Sequence, residues 1–283
     1  MATLCYGSIT TLSRLVFDDG ATALTIVALR SALFVLAIGA YLAFARGGID
    51  LPRRAWYASA LFALFMGVWA YGYLASIAYI PVSLAALLFF TFPLLVGLFA
   101  AIVRQERMTI LKGFALLLAF AGLALALGPT WETLDWRGVA LVLSASAVTA
   151  IAYVFITPVF REHDLVAVNF LANLWLTLGA FAYGLVVRDF ALPHSMEGQY
   201  LMMTVIVFYI AAFSLWSLAL PLIGSVRTAG MMNLEPVISI GLAALILGER
   251  LTPVEIGGAA LVLLALVLVA RPPRPRRTLR GVA

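Results

Sequence analysis

Between Ala55 and Val103 the chain runs without a single Asp, Glu, Lys or Arg. A bilayer core takes about 20 apolar residues per helical span. The run is too long for one helix and too apolar for a soluble core. It reads as two spans joined by a tight turn at Tyr79-Ile80-Pro81-Val82. The rest of the chain agrees. It is 64% hydrophobic and 11% charged, with mean hydropathy +1.09. Soluble domains average about 45–50% apolar and about 25% charged residues. The lipid bilayer is therefore the first expected partner.

Apolar stretches between charged or Pro/Gly punctuation predict an all-α integral membrane protein of ten transmembrane helices. The expected spans are 1–17, 21–45, 55–78, 82–103, 110–128, 138–160, 165–187, 200–220, 227–247 and 253–270. The first is short and carries Arg14. Placing both termini in the cytoplasm puts 13 of the 18 basic residues inside, five of them in the tail Arg271, Arg274, Arg276, Arg277 and Arg280. Only Arg137, Arg188 and Arg250 then fall outside, while Arg14 and Arg30 lie within spans. Such asymmetry sets orientation by the positive-inside rule. Asp18, Asp19, Glu132, Asp135, Asp189 and Glu197 fall outside. The expected location is the cell membrane, and the net charge of +5 suits an anionic leaflet, not nucleic acid. No signal peptide is expected, because no basic segment precedes the first apolar stretch. One cysteine, Cys5, excludes an intrachain disulfide. His163 and His194 lie far apart and make no metal-ligand cluster, so no metal site is expected.

The chain repeats itself at an offset of 143 residues. Thr91-Phe92-Pro93 corresponds to Leu234-Glu235-Pro236, and Glu106-Arg107-Met108-Thr109 to Glu249-Arg250-Leu251-Thr252. Ala100-Ala101 matches Ala243-Ala244 in the same register. The offset spans five helices, an odd number, so the halves must lie upside down relative to each other. Residues 1–128 form a first five-helix repeat, 138–270 a second, inverted one, and 271–283 a basic cytoplasmic tail. Inverted repeats mark secondary transporters, in which one half rocks against the other around a central site.

The same residues resemble a known family. Asn233-Leu234-Glu235-Pro236-Val237, Leu247-Gly248-Glu249-Arg250-Leu251-Thr252 and Gly257-Gly258-Ala259-Ala260-Leu261 are similar to the second half of an EamA-type member of the drug/metabolite transporter superfamily. Thr91-Phe92-Pro93-Leu94-Leu95, Gln105-Glu106-Arg107 and Gly113 resemble its first half, and Arg30 matches an arginine the family tends to carry. The resemblance covers essentially the whole chain. It implies ten helices in two repeats and export of small metabolites such as amino acids. The chain departs from the pattern in its short first span, where the family would place more residues ahead of Tyr6.

Two charges stand out within spans. A carboxylate at mid-membrane costs about 2.5–3.5 kcal/mol on insertion scales. Glu235, directly before Pro236, is therefore either a contact for a substrate ammonium or a proton carrier, or half of a structural pair with Arg30 or Arg14. Arg30 has three options: to hold a substrate carboxylate through its bidentate fork, to pair with Glu235, or to snorkel toward Asp18 and Asp19. Arg14, nearer a boundary, is expected to snorkel. Pro93 and Pro236 each delete a backbone hydrogen bond, which should break their helices and free the carbonyls of Phe89 and Met232. Their matched positions point to one central cavity. Trp69 and Tyr73 share a helix face, and Tyr79, Phe90, Tyr153 and Trp216 lie in or near the same layer. Trp216 stands 143 residues after Tyr73, and Asn173 the same distance after Arg30. These aromatics would line a cavity for amphipathic or aromatic metabolites, with core packing and interfacial belts as the plainer alternative. For Asn173 the alternative is interhelical hydrogen bonding.

A secondary transporter is the leading expectation, with a small-molecule metabolite as partner and protons as a candidate coupling ion. No G-x-x-x-x-G-K-[ST] loop occurs, so neither ATP drive nor any other cofactor is expected. An integral-membrane enzyme needs convergent nucleophiles, bases or metal ligands, which the sequence does not supply. A passive channel is the remaining alternative.

Overall fold

The computed structural model describes residues 1–46, 48–102, 110–127, 134–223 and 235–270. Among these residues there are helices and connecting turns, and no strands. In chain order they are α1 (Ala2–Asp18), α2 (Ala23–Tyr41, ending in a π-helical turn over Leu42–Arg46), α3 (Arg53–Ser76), α4 (Val82–Phe89), α5 (Phe92–Ile102), α6 (Ile110–Leu127), α7 (Trp136–Glu162), α8 (Leu165–Val187), α9 (Met196–Ile223), α10 (Glu235–Ile246) and α11 (Pro253–Ala270). Helix is the form lipid enforces, because every backbone N–H and C=O must be satisfied within its own segment. Five helical stretches among the described residues are long and apolar enough to cross a bilayer: 23–45, 53–76, 136–153, 165–187 and 196–216. Three shorter apolar stretches accompany them at 82–96, 237–246 and 256–265. Ten full-length spans are thus more than the described helices show on their own. One reason is visible: the expected span 82–103 is not a single helix but breaks at Phe90-Thr91, one residue ahead of the Phe92-Pro93 pair that opens α5.

The helix starts follow from local chemistry. Thr22 caps α2 by accepting from the Thr25 N–H at 3.3 Å. Asp135 caps α7, and Asp164 caps α8 through Val166 N–H at 2.9 Å. Pro81 precedes α4 and offers no side-chain cap of its own. Glu249, from the far half of the chain, supplies one. Its two carboxylate oxygens accept from Val82 N–H at 2.8 Å, Ser83 N–H at 3.0 Å and the Ser83 hydroxyl at 2.6 Å. A carboxylate at a helix start meets both the orphan N–H groups and the positive end of the macrodipole.

The packing order has an internal symmetry. α1 packs on α9 and α10, α2 on α8 and α9, α3 on α7 and α8, α4 and α5 on α7, α4 on α10, and α6 on α11. Take α4 and α5 as one interrupted segment and exchange the first five segments for the last five. The α3–α7 pairing becomes α9–α1, α3–α8 becomes α9–α2, and α5–α7 becomes α10–α1. The α2–α8, α4–α10 and α6–α11 pairings map onto themselves. The α6–α11 contact shows the same register in its residues. Ala115, Ala119 and Gly122 face Gly258, Val262 and Ala265, which stand 143 positions later, and all are buried. A Cβ on Gly122 would lie 2.7 Å from the Gly258 carbonyl oxygen, so the two backbones touch. Two buried hydroxyl pairs tie the halves together on equivalent helix pairs, Thr10 with Ser239 at 2.8 Å and Thr91 with Ser146 at 2.9 Å.

One end of the bundle is tied shut by polar contacts. Asp19 accepts from the Ser195 N–H at 2.9 Å and from its hydroxyl at 2.8 Å, while the Asp19 carbonyl accepts from the His194 N–H at 3.0 Å. Those donors pull the Asp19 carboxyl below the usual aspartate range. The Thr22 hydroxyl donates to the Asp189 carbonyl at 2.7 Å. Arg14 reaches this same end, as expected of a snorkelling residue, binding Asp18 at 3.1 Å and the Ile77 carbonyl at 2.6 Å.

Candidate functional site

Phe92 and Glu235 occupy the same position in the two halves, and each opens a half-helix just ahead of a proline. At the first break the turn is held by Phe90 N–H to the Ala86 carbonyl, Thr91 N–H to the Leu88 carbonyl, and Leu94 and Leu95 N–H to the Thr91 carbonyl. None of these bonds uses the Phe89 carbonyl, the group that Pro93 cannot serve. The Met232 carbonyl, like the tail 271–283, lies outside the described residues, and of Pro236 only the backbone is described. At the second break Glu235 sits in the first turn of α10, where its charge is favoured by the helix dipole.

Around these two starts the structure gathers two aromatic groups. The first runs from Tyr73, stacked on Phe89 at 4.3 Å, through Phe90 and Phe92 to Tyr153, whose ring lies 5.6 Å from that of Phe92. The second joins Phe34, Tyr209, Phe213 and Trp216 with centroids 5.2–6.3 Å apart. The Glu235 carboxylate lies within electrostatic reach of Tyr6, Tyr73 and Tyr153, and Tyr6 feels both Glu235 and Arg30. Tyr6 is therefore near enough to feel both charges. Gly7 permits this: a Cβ there would meet Ile238 at 2.7 Å and the Glu235 carbonyl oxygen at 3.1 Å, so α1 can lie directly on the start of α10.

Arg30 is 6% exposed and its guanidinium sits 4.3 Å over the Tyr209 ring. It neither pairs with Glu235 nor snorkels to Asp18 or Asp19. Among the described residues the ion pairs are Arg14–Asp18 and Arg137–Asp135. The structural-pair reading of Glu235 is thereby overturned for both arginines, because Arg14 points to the bundle end and Arg30 lies against an aromatic face. Asn173 is fully buried. Its side-chain oxygen accepts from the Tyr209 hydroxyl at 3.1 Å, and its amide donates to the Asn169 carbonyl at 2.9 Å.

Of the residues expected from sequence, Tyr73, Phe90 and Tyr153 fall in the first group and Arg30, Asn173 and Trp216 in the second around Tyr209, with Glu235 within electrostatic reach of the first and Pro93 at the first break. Trp69 lies one turn from Tyr73, its ring edge against Phe62 at 5.5 Å, on the flank of the first group. Tyr79 is not part of it. It is 42% exposed in the turn after α3, with Arg137 stacked 4.7 Å over its ring. The layer assignment fails there because Tyr79 follows the end of α3 at Ser76. Sequence reasoning missed Tyr6, Phe34, Phe89, Phe92, Tyr209 and Phe213. The spacing of Tyr209, Phe213 and Trp216 along one helix face was a usable signal.

The helix broken ahead of Pro93 and the charged and aromatic residues beside it belong to an all-helical, apolar chain, and comparison with known proteins says which family it is. The chain matches the EamA-like transporter family over residues 1–128 and 136–271. It belongs to that family, within the drug/metabolite transporter superfamily, and its apolar helices are those of a multi-pass membrane protein. An uncharacterized transporter of Synechocystis sp. is 27% identical over 207 residues, a match covering 69% of this chain and 60% of the relative. The match thus spans less than two thirds of that relative's length. A solved structure titled "Crystal structure of protein" superposes with a TM-score of 0.60 over 94% of this chain and 95% of its own, at 18% identity. That likeness bears on the fold alone.

Proposed function

We propose that the chain is a secondary active transporter that exports small metabolites, amino acids among them, across the cell membrane by alternating access. In this reading it has ten spans in two inverted repeats, 1–128 and 138–270, with the tail 271–283 and both termini cytoplasmic. The observation that carries it is the packing order, which returns to itself when the two halves are exchanged. A protein with that property has two mirror-related ways to close, one at each membrane face. The family match falls in two segments that divide the chain at the same place. The substrate sits between the half-helix starts, against Arg30, Tyr73, Phe90, Tyr153, Asn173, Trp216 and Glu235, with the breaks at Pro93 and Pro236 as hinges. Protons are the coupling ion, with Glu235 as their carrier, since it is the one carboxylate among the described residues at this centre.

The experiment is uptake of radiolabelled amino acids by the purified full-length chain in sealed vesicles, with and without an imposed pH gradient. Accumulation above equilibrium under the gradient is expected. Equilibration without accumulation would make the chain a passive channel, and conversion of the solute would make it an enzyme.

A further inference from the structure

The Arg30 guanidinium is buried, yet nothing among the described residues neutralises it. Among those residues its Nε has no hydrogen-bond partner and no carboxylate pairs with it, while the guanidinium lies over the face of Tyr209. A cation over an aromatic ring recovers part of its desolvation cost, less than a buried charge needs. The guanidinium is also held still. Tyr209 lies beneath it, the Tyr209 hydroxyl is fixed to Asn173, and Asn173 is fixed to the α8 backbone at Asn169. Phe34 and Phe213 pack edge-on and face-on against the same ring. This is a planar fork kept in one orientation with donor capacity to spare. Such a fork matches the two oxygens of a carboxylate.

We propose that Arg30 is a carboxylate-binding subsite, that the transported molecule is a small aromatic or apolar carboxylate, and that Tyr209 and Asn173 are the residues that position the fork. The inference rests on the transporter reading for its use but not for its test. Binding takes the acid group at Nε and one Nη of Arg30. The molecule's apolar body lies against Phe213 and Trp216, whose rings are 5.8 Å apart and continue from Tyr209. A free amine is not required, because the Arg30 anchor is separate from Glu235, with which it forms no ion pair. A primary ammonium is accepted as an addition, not as the anchor.

The test is equilibrium binding to the purified full-length chain, read from quenching of intrinsic tryptophan fluorescence, with three probes of one shape. Phenylacetate carries the carboxylate, phenylacetamide is its neutral isostere, and phenethylamine carries only a cation. On the unaltered chain phenylacetate should bind saturably, and the other two at least tenfold more weakly. Arg30→Lys keeps the charge and loses the fork, and should weaken phenylacetate about tenfold. Tyr209→Phe keeps the ring and releases the tether to Asn173. It should raise the phenylacetate Kd severalfold while leaving the thermal midpoint near wild type, a split that a merely structural tyrosine would not give. Phenylacetamide binding as tightly as phenylacetate overturns the proposal, and that comparison needs no variant to fold. Carboxylate-selective binding with no vesicle uptake would leave this subsite standing and sink the transporter reading instead.

Discussion

At the scale of single residues, the two charges inside the bundle have different fates. Arg30 is stacked and tethered, whereas Glu235 lies at a helix start among three tyrosines, with the dipole of α10 as its support. Glu235 is half-buried, and the dipole contributes about 0.3–1 kcal/mol, which does not cover the cost of a carboxylate placed within a membrane span. A residue kept at that expense has a use. Glu235→Gln retains the shape and removes the charge. It should fold with normal yield, transport roughly tenfold more slowly, equivalent to about 1.4 kcal/mol of lost barrier reduction, and lose its response to a pH gradient. Vesicle uptake at several pH values checks this. Wild-type rates and an unchanged pH profile in well-folded protein would remove Glu235 from the mechanism.

Elements are joined here by side chains that act across the sequence. Glu249 caps α4 from 166 residues away through three hydrogen bonds. Losing a helix cap costs about 0.5–2 kcal/mol. Glu249→Ala should lower the thermal midpoint measurably in detergent, and Glu249→Gln, which keeps an acceptor, should lower it less. Equal midpoints for all three proteins would show that water replaces the cap without loss. Asp19 clamps the start of α9 at the same end of the bundle. Its folded-state pKa is depressed by the Ser195 donors, so its contribution is present above the ordinary aspartate value and is lost as pH falls through the lower folded one. The difference in thermal midpoint between wild type and Asp19→Asn should be constant above about pH 5 and shrink steadily as pH falls below the ordinary aspartate value near 3.9. A difference that persists undiminished at the acid end would mean that the clamp does not depend on the charge.

For the whole molecule, the repeat converts one observed closure into an expectation of a second. Asp19, just past the end of α1, holds the residue before α9, which begins at Met196. Shifted by 143 residues, Glu162 ends α7 and α3 begins at Arg53. Glu162, Arg53 and Arg54 are all exposed and form no ion pair among the described residues. Rocking one half against the other should form the Glu162–Arg53 contact as the Asp19–Ser195 contact opens. In a chain with Cys5 replaced by Ser, cysteine pairs at 19 and 195 and at 162 and 53 should each cross-link, and each cross-link should stop transport. Free transport with both cross-links in place would exclude alternating access between these ends. A reporter fused after Arg280 should be active only in the cytoplasm. Activity on the opposite side would overturn either the orientation or an even number of spans.

The sequence alone determined the lipid environment and the position of the break ahead of Pro93. Long charge-free runs leave the chain no solvent but lipid, and proline cannot serve the carbonyl four residues before it, wherever the helix ends up. These are local constraints that any fold must obey. What faces what is not local. Glu249 was legible as part of a repeated motif, but its partners Val82 and Ser83 were not, because capping depends on which helix ends meet at one face. Within the chain Arg30 had Glu235, Asp18 and Asp19 available to it as partners on paper. Packing of α2 against α8 and α9 chose none of them, and placed the guanidinium over Tyr209, a residue with no sequence signal beyond its spacing to Phe213 and Trp216. Tyr79 shows the converse: closeness in sequence to an aromatic layer says nothing once the helix has ended at Ser76. In lipid every face of a helix can be apolar, so periodicity does not separate the buried side from the exposed one, and only tertiary contact decides it.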